Sequence, residues 1–181
     1  MIEIGGVPEL KTENLILRRL AHEDRWDLFL MMSNPGIIKY ADGKLDRDIN
    51  DTLKYINRMN QGVDEKKWIA WGIRLKNENK IIGTISLWNL NEDNNSGELG
   101  YGLNPDYHGK GHMREALKRV VEFGFEEFDL SLIFAYTDKD NIPSNKLLEN
   151  SGFMEVDRIK EGGFHSDRVF DYIVYRKDRG R

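Results

Sequence analysis

Residues 108–113 read HGKGHM, two glycines two positions apart with a lysine and two histidines, directly before a run with helical apolar spacing. Backbone N–H groups of a glycine-rich turn point the same way as the orphan N–H groups of a helix's first turn, so the pair makes a phosphate cradle. Gly109 and Gly111 let the backbone approach an anion with no Cβ in the way. His108, Lys110 and His112 could add charge. Upstream lies ELGYGL, in which Leu99, Tyr101 and Leu103 alternate with Glu98, Gly100 and Gly102. One face of that strand is bulky; the other sets a carboxylate beside bare backbone, where a ligand can come close.

Three sharper motifs fail on the letters. A P-loop needs Gly-Lys-Ser/Thr after four intervening residues, and GKGH has neither. A dinucleotide fingerprint needs glycine where Arg114 stands. His108 and His112 have the spacing of two metal ligands on a helix, but the glycines between them oppose a helix there and the Glu of H-E-x-x-H is missing, so no metal is expected. Taken alone, the loop also fits an ordinary strand-to-helix turn.

These residues need elements to hold them. The period predicts a strand over 14–20, a helix over 22–34 ended by Pro35-Gly36, and a helix over 46–60 with Ile49, Leu53, Ile56 and Met59 on one stripe and Gly62 just past its end. Strands over 68–75 and 80–88 form a hairpin, 89–97 is a loop by composition, and 98–103 is a strand ended by Asn104-Pro105. A helix follows from His112, carried by Met113, Ala116, Leu117, Val120, Val121, Phe125 and Phe128. Then come a strand over 131–137, a short helix with Pro143 in its first turn and Gly152 at its stop, and strands 154–159 and 169–175. Trp68 and Trp71 fall on opposite faces of one strand, so one can line a pocket, while Trp26 belongs to the core or its rim. The sum is a single α/β (α+β) domain spanning 1–181, with no repeat or internal linker.

ELGYGLNPDYHGKGHMREAL and, downstream, NIPSNKLLENSGF resemble two signatures of the GNAT N-acetyltransferases, in particular the RimJ/RimL-like branch, and the supporting likeness runs from about 12 to 176. The resemblance implies a mixed central sheet flanked by helices. Strand 98–103, bulged, would splay from strand 131–137, and the pantetheine of acetyl-CoA would lie in the gap beside Tyr101, Gly102 and Leu103. It implies that the backbone of His108, Gly109, Lys110, Gly111, His112 and Met113 holds the pyrophosphate. Asp106 stands where most of the superfamily has Gln or Arg.

Acetyl transfer from a thioester to an amine needs an uncharged amine, a stabilised oxyanion and a proton for the departing thiolate. Glu98 is the candidate base, with a solvated edge residue as the plainer reading, and backbone N–H near Leu103 could polarise the carbonyl. The superfamily's tyrosine acid is replaced here by Leu148, and the branch's serine corresponds to Ser144. Asn141 is expected on the pantetheine arm or as a helix cap, and Asn145 on the cofactor or in solvent. Tyr101 and Tyr136 are read as packing or pocket wall.

Composition narrows the partners. A formal net charge of −4 opposes a general nucleic-acid surface, and the absence of cysteine removes thiol catalysis and a covalent cysteine intermediate. No run is long enough to cross a bilayer and the first residues do not read as a secretion signal, so a cytoplasmic protein is expected. The expected partner is an amine acceptor, a protein N-terminus or a small amine, with a homodimer conceivable. Its groove would be built from the first two helices, the loop NPGIIKYADGK and the 161–167 turn, with Asp42, Asp46 and Asp48 as cation-attracting residues. The competing reading is a non-catalytic acyl-CoA-binding sensor or scaffold.

Overall fold

The computed structural model describes residues 6–40, 42–163 and 167–180. In chain order the elements are β1 (Leu10–Lys11), β2 (Leu15–Arg18), α1 (Arg25–Met32), α2 (Ile49–Asp64), β3 (Ile69–Leu75), β4 (Ile81–Asn91) and β5 (Ser96–Leu103), then α3 (His112–Glu122), β6 (Leu132–Asp138), α4 (Ile142–Asn150), β7 (Met154–Gly162) and β8 (Val169–Asp178). They build one eight-stranded sheet in the order β1-β2-β3-β4-β5-β6-β8-β7. Every neighbouring pair is antiparallel except β5–β6.

Alternation along the strands sends side chains to two cores. Leu15, Leu17, Trp71, Ile73 and Ile82 pack with Ala116, Leu117 and Val120 of α3 and Leu148 of α4. The smaller cluster of Leu20 and Ile81 with Leu28 and Met31 of α1 and Ile56 of α2 covers the opposite face. Each fully buried aliphatic side chain stabilises by about 1.5–3 kcal/mol. The turn into α1 is pinned by Asp24, whose carboxylate accepts from both terminal nitrogens of Arg18 at 2.8 and 2.7 Å and from the Ala21 N–H at 2.8 Å.

The expected order of elements holds, with β1 added. Several boundaries shift by a few residues, and two of the shifts have a clear physical reason. The stretch 89–97 is mostly strand: β4 runs to Asn91 and β5 begins at Ser96, because Asn89 and Asn95 adopt positive φ and let a polar segment stay paired. Helix α2 continues through Gly62, which is no stop but a packing site. A Cβ there would lie 1.9 Å from the Trp68 ring, and the Trp68 N–H donates to the Met59 carbonyl at 3.0 Å. The chain leaves the helix at Lys66, φ +59°. At the end of α3, residues 123–127 widen into a π turn closed by Phe128 N–H to Phe123 O at 2.8 Å.

Candidate active site

From the end of β5 the chain makes a tight turn over Pro105–Tyr107, held by Asn104 Oδ1 accepting from the Asp106 N–H at 3.1 Å, before entering α3. Gly109 and Gly111 sit at φ +73° and +83°, where L side chains are strained. A Cβ added to either would meet no atom of the described residues within 4 Å. Gly111 begins α3 without a side-chain cap, which leaves first-turn N–H groups for an anion. The charged side chains are engaged elsewhere. Lys110 Nζ donates to the Asp106 carbonyl at 3.0 Å and lies 5.0 Å from the Tyr107 ring centre. His108 Nε2 lies 3.0 Å from the Leu103 carbonyl, which can only accept, so the proton sits on Nε2. The His112 ring leans toward Tyr107, and the Met113 side chain is in the core, leaving only its backbone to the cradle.

Beside this cradle the sheet divides. β5 and β6 pair only at Ser96–Leu132, Gly97–Ile133 and Glu98–Phe134. β5 stays paired to β4 as far as Leu103, and β6 to β8 as far as Asp138. Past Glu98 the facing edges of 99–103 and 135–138 therefore carry backbone groups unmatched by each other, a slot in which an extended ligand can pair. The β5 register is regular from Glu98 to Leu103, so the expected bulge is not there. It lies on β4, where three steps from Trp88 to Asn91 match two from Glu98 to Ser96.

That bulge has a chemical effect. Asn89, at φ +46°, turns its side-chain amide onto the Glu98 carboxylate as a hydrogen-bond donor. Glu98 is half-buried, and burial pushes its carboxyl above the usual glutamate range, against the Asn89 bond and with a further push from the charge of Glu161. A carboxylate so placed is a proton acceptor of raised basicity. Trp88 stands directly opposite Glu98 and is 46% exposed. The bare face read at Gly100 and Gly102 is crowded at Gly100, where a Cβ would come 3.2 Å from Ser86 Oγ and 3.3 Å from Trp88 Nε1, but not at half-buried Gly102, where one would make only an ordinary contact 3.7 Å from Ile37.

Helix α4 presents its first turn to the other side of the fork. Asn141 caps it, Oδ1 accepting from the Ser144 N–H at 3.3 Å. Ser144 Oγ lies 2.7 Å from the Tyr101 hydroxyl, a bond from α4 to β5. Burial pushes the Tyr101 phenol up to about 12, with the Ser144 bond opposing. Asn145 is not solvated as one reading had it: it is 7% exposed, Nδ2 donates to the Lys139 carbonyl at 3.0 Å, and Oδ1 is buried without a partner among the described residues. Leu148 is fully buried, consistent with a core role.

In the loop expected to wall the acceptor groove, two of the three candidate aspartates are structural. Asp48 caps α2 by accepting from Asn50 and Asp51 N–H, and Asp46 accepts from the Thr52 hydroxyl at 2.6 Å. Asp42 remains near the sheet, its charge adding to burial in pushing the Tyr172 phenol up. Arg168 joins the α1–α2 loop to the sheet, donating to Lys39 O at 2.6 Å and to Asp138 Oδ2 at 3.4 Å. Residues 164–166 of the expected groove, with His165, lie outside the described residues. Tyr136 is 42% exposed; partial burial, followed by the charge of Glu98, pushes its phenol up.

Neither Trp68 nor Trp71 lines this fork. Trp71 is fully buried, its N–H donating to Pro8 O at 2.8 Å, and Trp26, 58% exposed, is not in the core. His22, without an evident partner in sequence, meets Asn57 Oδ1 at 2.7 Å. The residues that sequence reasoning missed are Asn89, Trp88 and Arg168; the only local signal was an asparagine suited to positive φ in WNLN. A groove of about 500 Å³ runs from Arg114 along α3 to Asn150 and Ser151, with Lys118, Lys177 and Arg179 on its walls, and touches neither Glu98 nor Ser144.

Comparison with known proteins bears on this arrangement. A family model for the acetyltransferase (GNAT) domain matches residues 14–154. The uncharacterized N-acetyltransferase YoaA of Bacillus subtilis (strain 168) is 30% identical over 93% of this chain and 95% of its own. The spermidine N(1)-acetyltransferase of Vibrio cholerae serotype O1 is 27% identical over 90% of this chain and 94% of its own. Among solved structures, a GNAT-family acetyltransferase from Bacillus anthracis superposes with a TM-score of 0.85 at 24% identity, covering 96% of this chain and 100% of that one.

Proposed function

Because this chain belongs to the GNAT acetyltransferase family and is an N-acetyltransferase, we propose that it moves an acetyl group from acetyl-CoA directly to a primary amine, either a peptide N-terminus or a small amine. The residues fit the donor on three observations: glycines with open space where a Cβ would stand, an uncapped α3 N-terminus, and strand edges that part beyond Glu98. In this reading the backbone of 108–113 holds the pyrophosphate and the edges of β5 and β6 take the pantetheine arm, Asn141 and Asn145 standing at its side. Among the described residues the buried Asn145 Oδ1 has no partner, an acceptor still in need of a donor.

The observation that carries the proposal is the position and basicity of Glu98, the last paired residue before the strands part. Glu98 takes the amine's proton, directly or through water, as nitrogen attacks the thioester carbonyl. Backbone N–H near Leu103 polarises that carbonyl. The Ser144 hydroxyl meets the sulfur as the carbon–sulfur bond breaks. No covalent enzyme intermediate is involved.

A CoA-release assay tests this, run with acetyl-CoA against peptides of varied N-termini, spermidine, amino acids and an aminoglycoside. Amine-dependent CoA release with one class of acceptor, lost in Glu98→Gln, is expected. Tight acetyl-CoA binding with no amine-dependent release anywhere in the panel would sink the amine-acceptor reading, leaving an acyl-CoA-binding module.

A further inference from the structure

The fork holds a hydroxyl pair that the scheme above uses only in part. We propose that Tyr101 is a positioning residue for the departing sulfur: its phenol donates to Ser144 Oγ and so turns the Ser144 proton out into the gap between β5 and β6. This rests on the acetyl-transfer reading.

The two oxygens are 2.7 Å apart, and geometry alone leaves either as donor. Chemistry separates them. A phenol is the stronger donor and the weaker acceptor of the two, so the bond runs from Tyr101 to Ser144. Burial holds the phenol protonated, up to about 12, so it remains a donor through the physiological range. Ser144 Oγ makes no other hydrogen bond among the described residues, and its own backbone N–H is fixed by Asn141. With one lone pair occupied by Tyr101 and the main chain held, the serine proton has the gap left to point into. Phe at 101 would leave the serine hydroxyl free to rotate.

The consequence falls on charge at sulfur. When the amine has attacked and the carbon–sulfur bond breaks, the bonding pair goes to sulfur, the amine's proton goes to Glu98, and the thiolate takes a proton from solvent as it leaves. A serine O–H already aimed into the gap stabilises that charge with no reorganisation.

The readout needs no acceptor: the thiol of CoA bound to the whole protein is titrated by thiolate ultraviolet absorbance. In the wild type it should ionise about one pH unit below free CoA, the worth of a hydrogen bond to a charged group. Ser144→Ala and Tyr101→Phe should each return it toward the free value, and the double variant should match Ser144→Ala alone. With a productive amine, Tyr101→Phe should lower kcat about tenfold, also the worth of one such bond, with KM for acetyl-CoA unchanged. Should Tyr101→Phe misfold, 3-fluorotyrosine at 101, a stronger donor, should shift the bound thiol further down. A Tyr101→Phe complex that titrates like wild type, or a double variant that loses more than Ser144→Ala, overturns the role of Tyr101 while leaving the acetyl-CoA reading intact. Failure of wild type to bind CoA in calorimetry overturns that reading itself.

Discussion

Gly62 and the pair Gly109 and Gly111 are the same residue type used for opposite ends. At Gly62 the missing Cβ is space the protein fills: the Trp68 ring lies where it would be, 1.9 Å away. At Gly109 and Gly111 the missing Cβ is space the protein leaves, with nothing among the described residues within 4 Å and a left-handed backbone. The contrast extends to the surroundings. The α2–β3 corner closes its donors, as the Trp68 N–H does on Met59, whereas the fork parts two strand edges, half-buries a carboxylate and strands an amide oxygen on Asn145. One region is built for stability and the other holds unmet needs that a ligand can satisfy.

The sharpest way to break this comparison is a change that should help one property and ruin the other. Glu98→Gln should lower kcat about 100-fold, the scale of a lost general base. The loss should shrink as pH rises and more of the acceptor amine is already neutral. The same change should raise Tm at pH 7. Glu98 holds its proton more tightly folded than unfolded, so the folded state binds the extra proton just above the ordinary value of 4.5. Stability then falls as pH rises through the folded pKa, and the neutral amide avoids that loss. Thermal scans of both proteins should converge as pH drops below 4.5. A wild-type Tm above that of Glu98→Gln at pH 7 would mean that the fork is not the strained region.

Gly62→Ala is the mirror test. Overpacking against Trp68 costs about 3 kcal/mol, and the better helix propensity of alanine returns about 1 kcal/mol, so a net loss of about 2 kcal/mol is expected in denaturant unfolding. KM for acetyl-CoA should not move.

The order of elements was legible because strand alternation and helical spacing are local, and so was the turn of Gly109 and Gly111 into α3, whose glycines and helix start are adjacent in sequence. What escaped needed distance. Gly62 looked like a helix stop by a local rule, and only Trp68, folding back on it, gave the glycine its purpose. The bulge at Asn89 depends on the β4–β5 register, which no single strand encodes. Tyr101 could be read as packing or pocket wall but not as a hydrogen-bonding partner, because Ser144 stands on another element. Asn145 could be read on the cofactor or in solvent, and what excludes solvent, its burial and its bond to the Lys139 carbonyl, comes from outside its own helix.

Gly111→Ala sharpens the meaning of empty space. With nothing for the new Cβ to strike, the stability loss should be limited to the left-handed backbone penalty, about 1 kcal/mol. Calorimetric affinity for CoA should fall about tenfold, because a methyl group would stand where the anion approaches the backbone. If affinity is unchanged while stability falls as far as in Gly62→Ala, the two glycines are alike and the contrast fails.

The smallest effect should come from the residue that looks most like a phosphate ligand. Lys110 is exposed, but its ammonium is held by the Asp106 carbonyl and the Tyr107 ring, on the loop's own side. An exposed charge near an anion contributes at most about 1 kcal/mol and is screened by salt. Lys110→Ala should therefore weaken CoA binding by less than about fivefold in low salt, with the difference vanishing at high salt, while kcat and Tm stay put. Titration of both proteins at two ionic strengths checks this. A loss larger than that of Gly111→Ala would mean that side-chain charge, not backbone N–H aimed by two glycines, holds the anion, and the open space beside them would need another explanation.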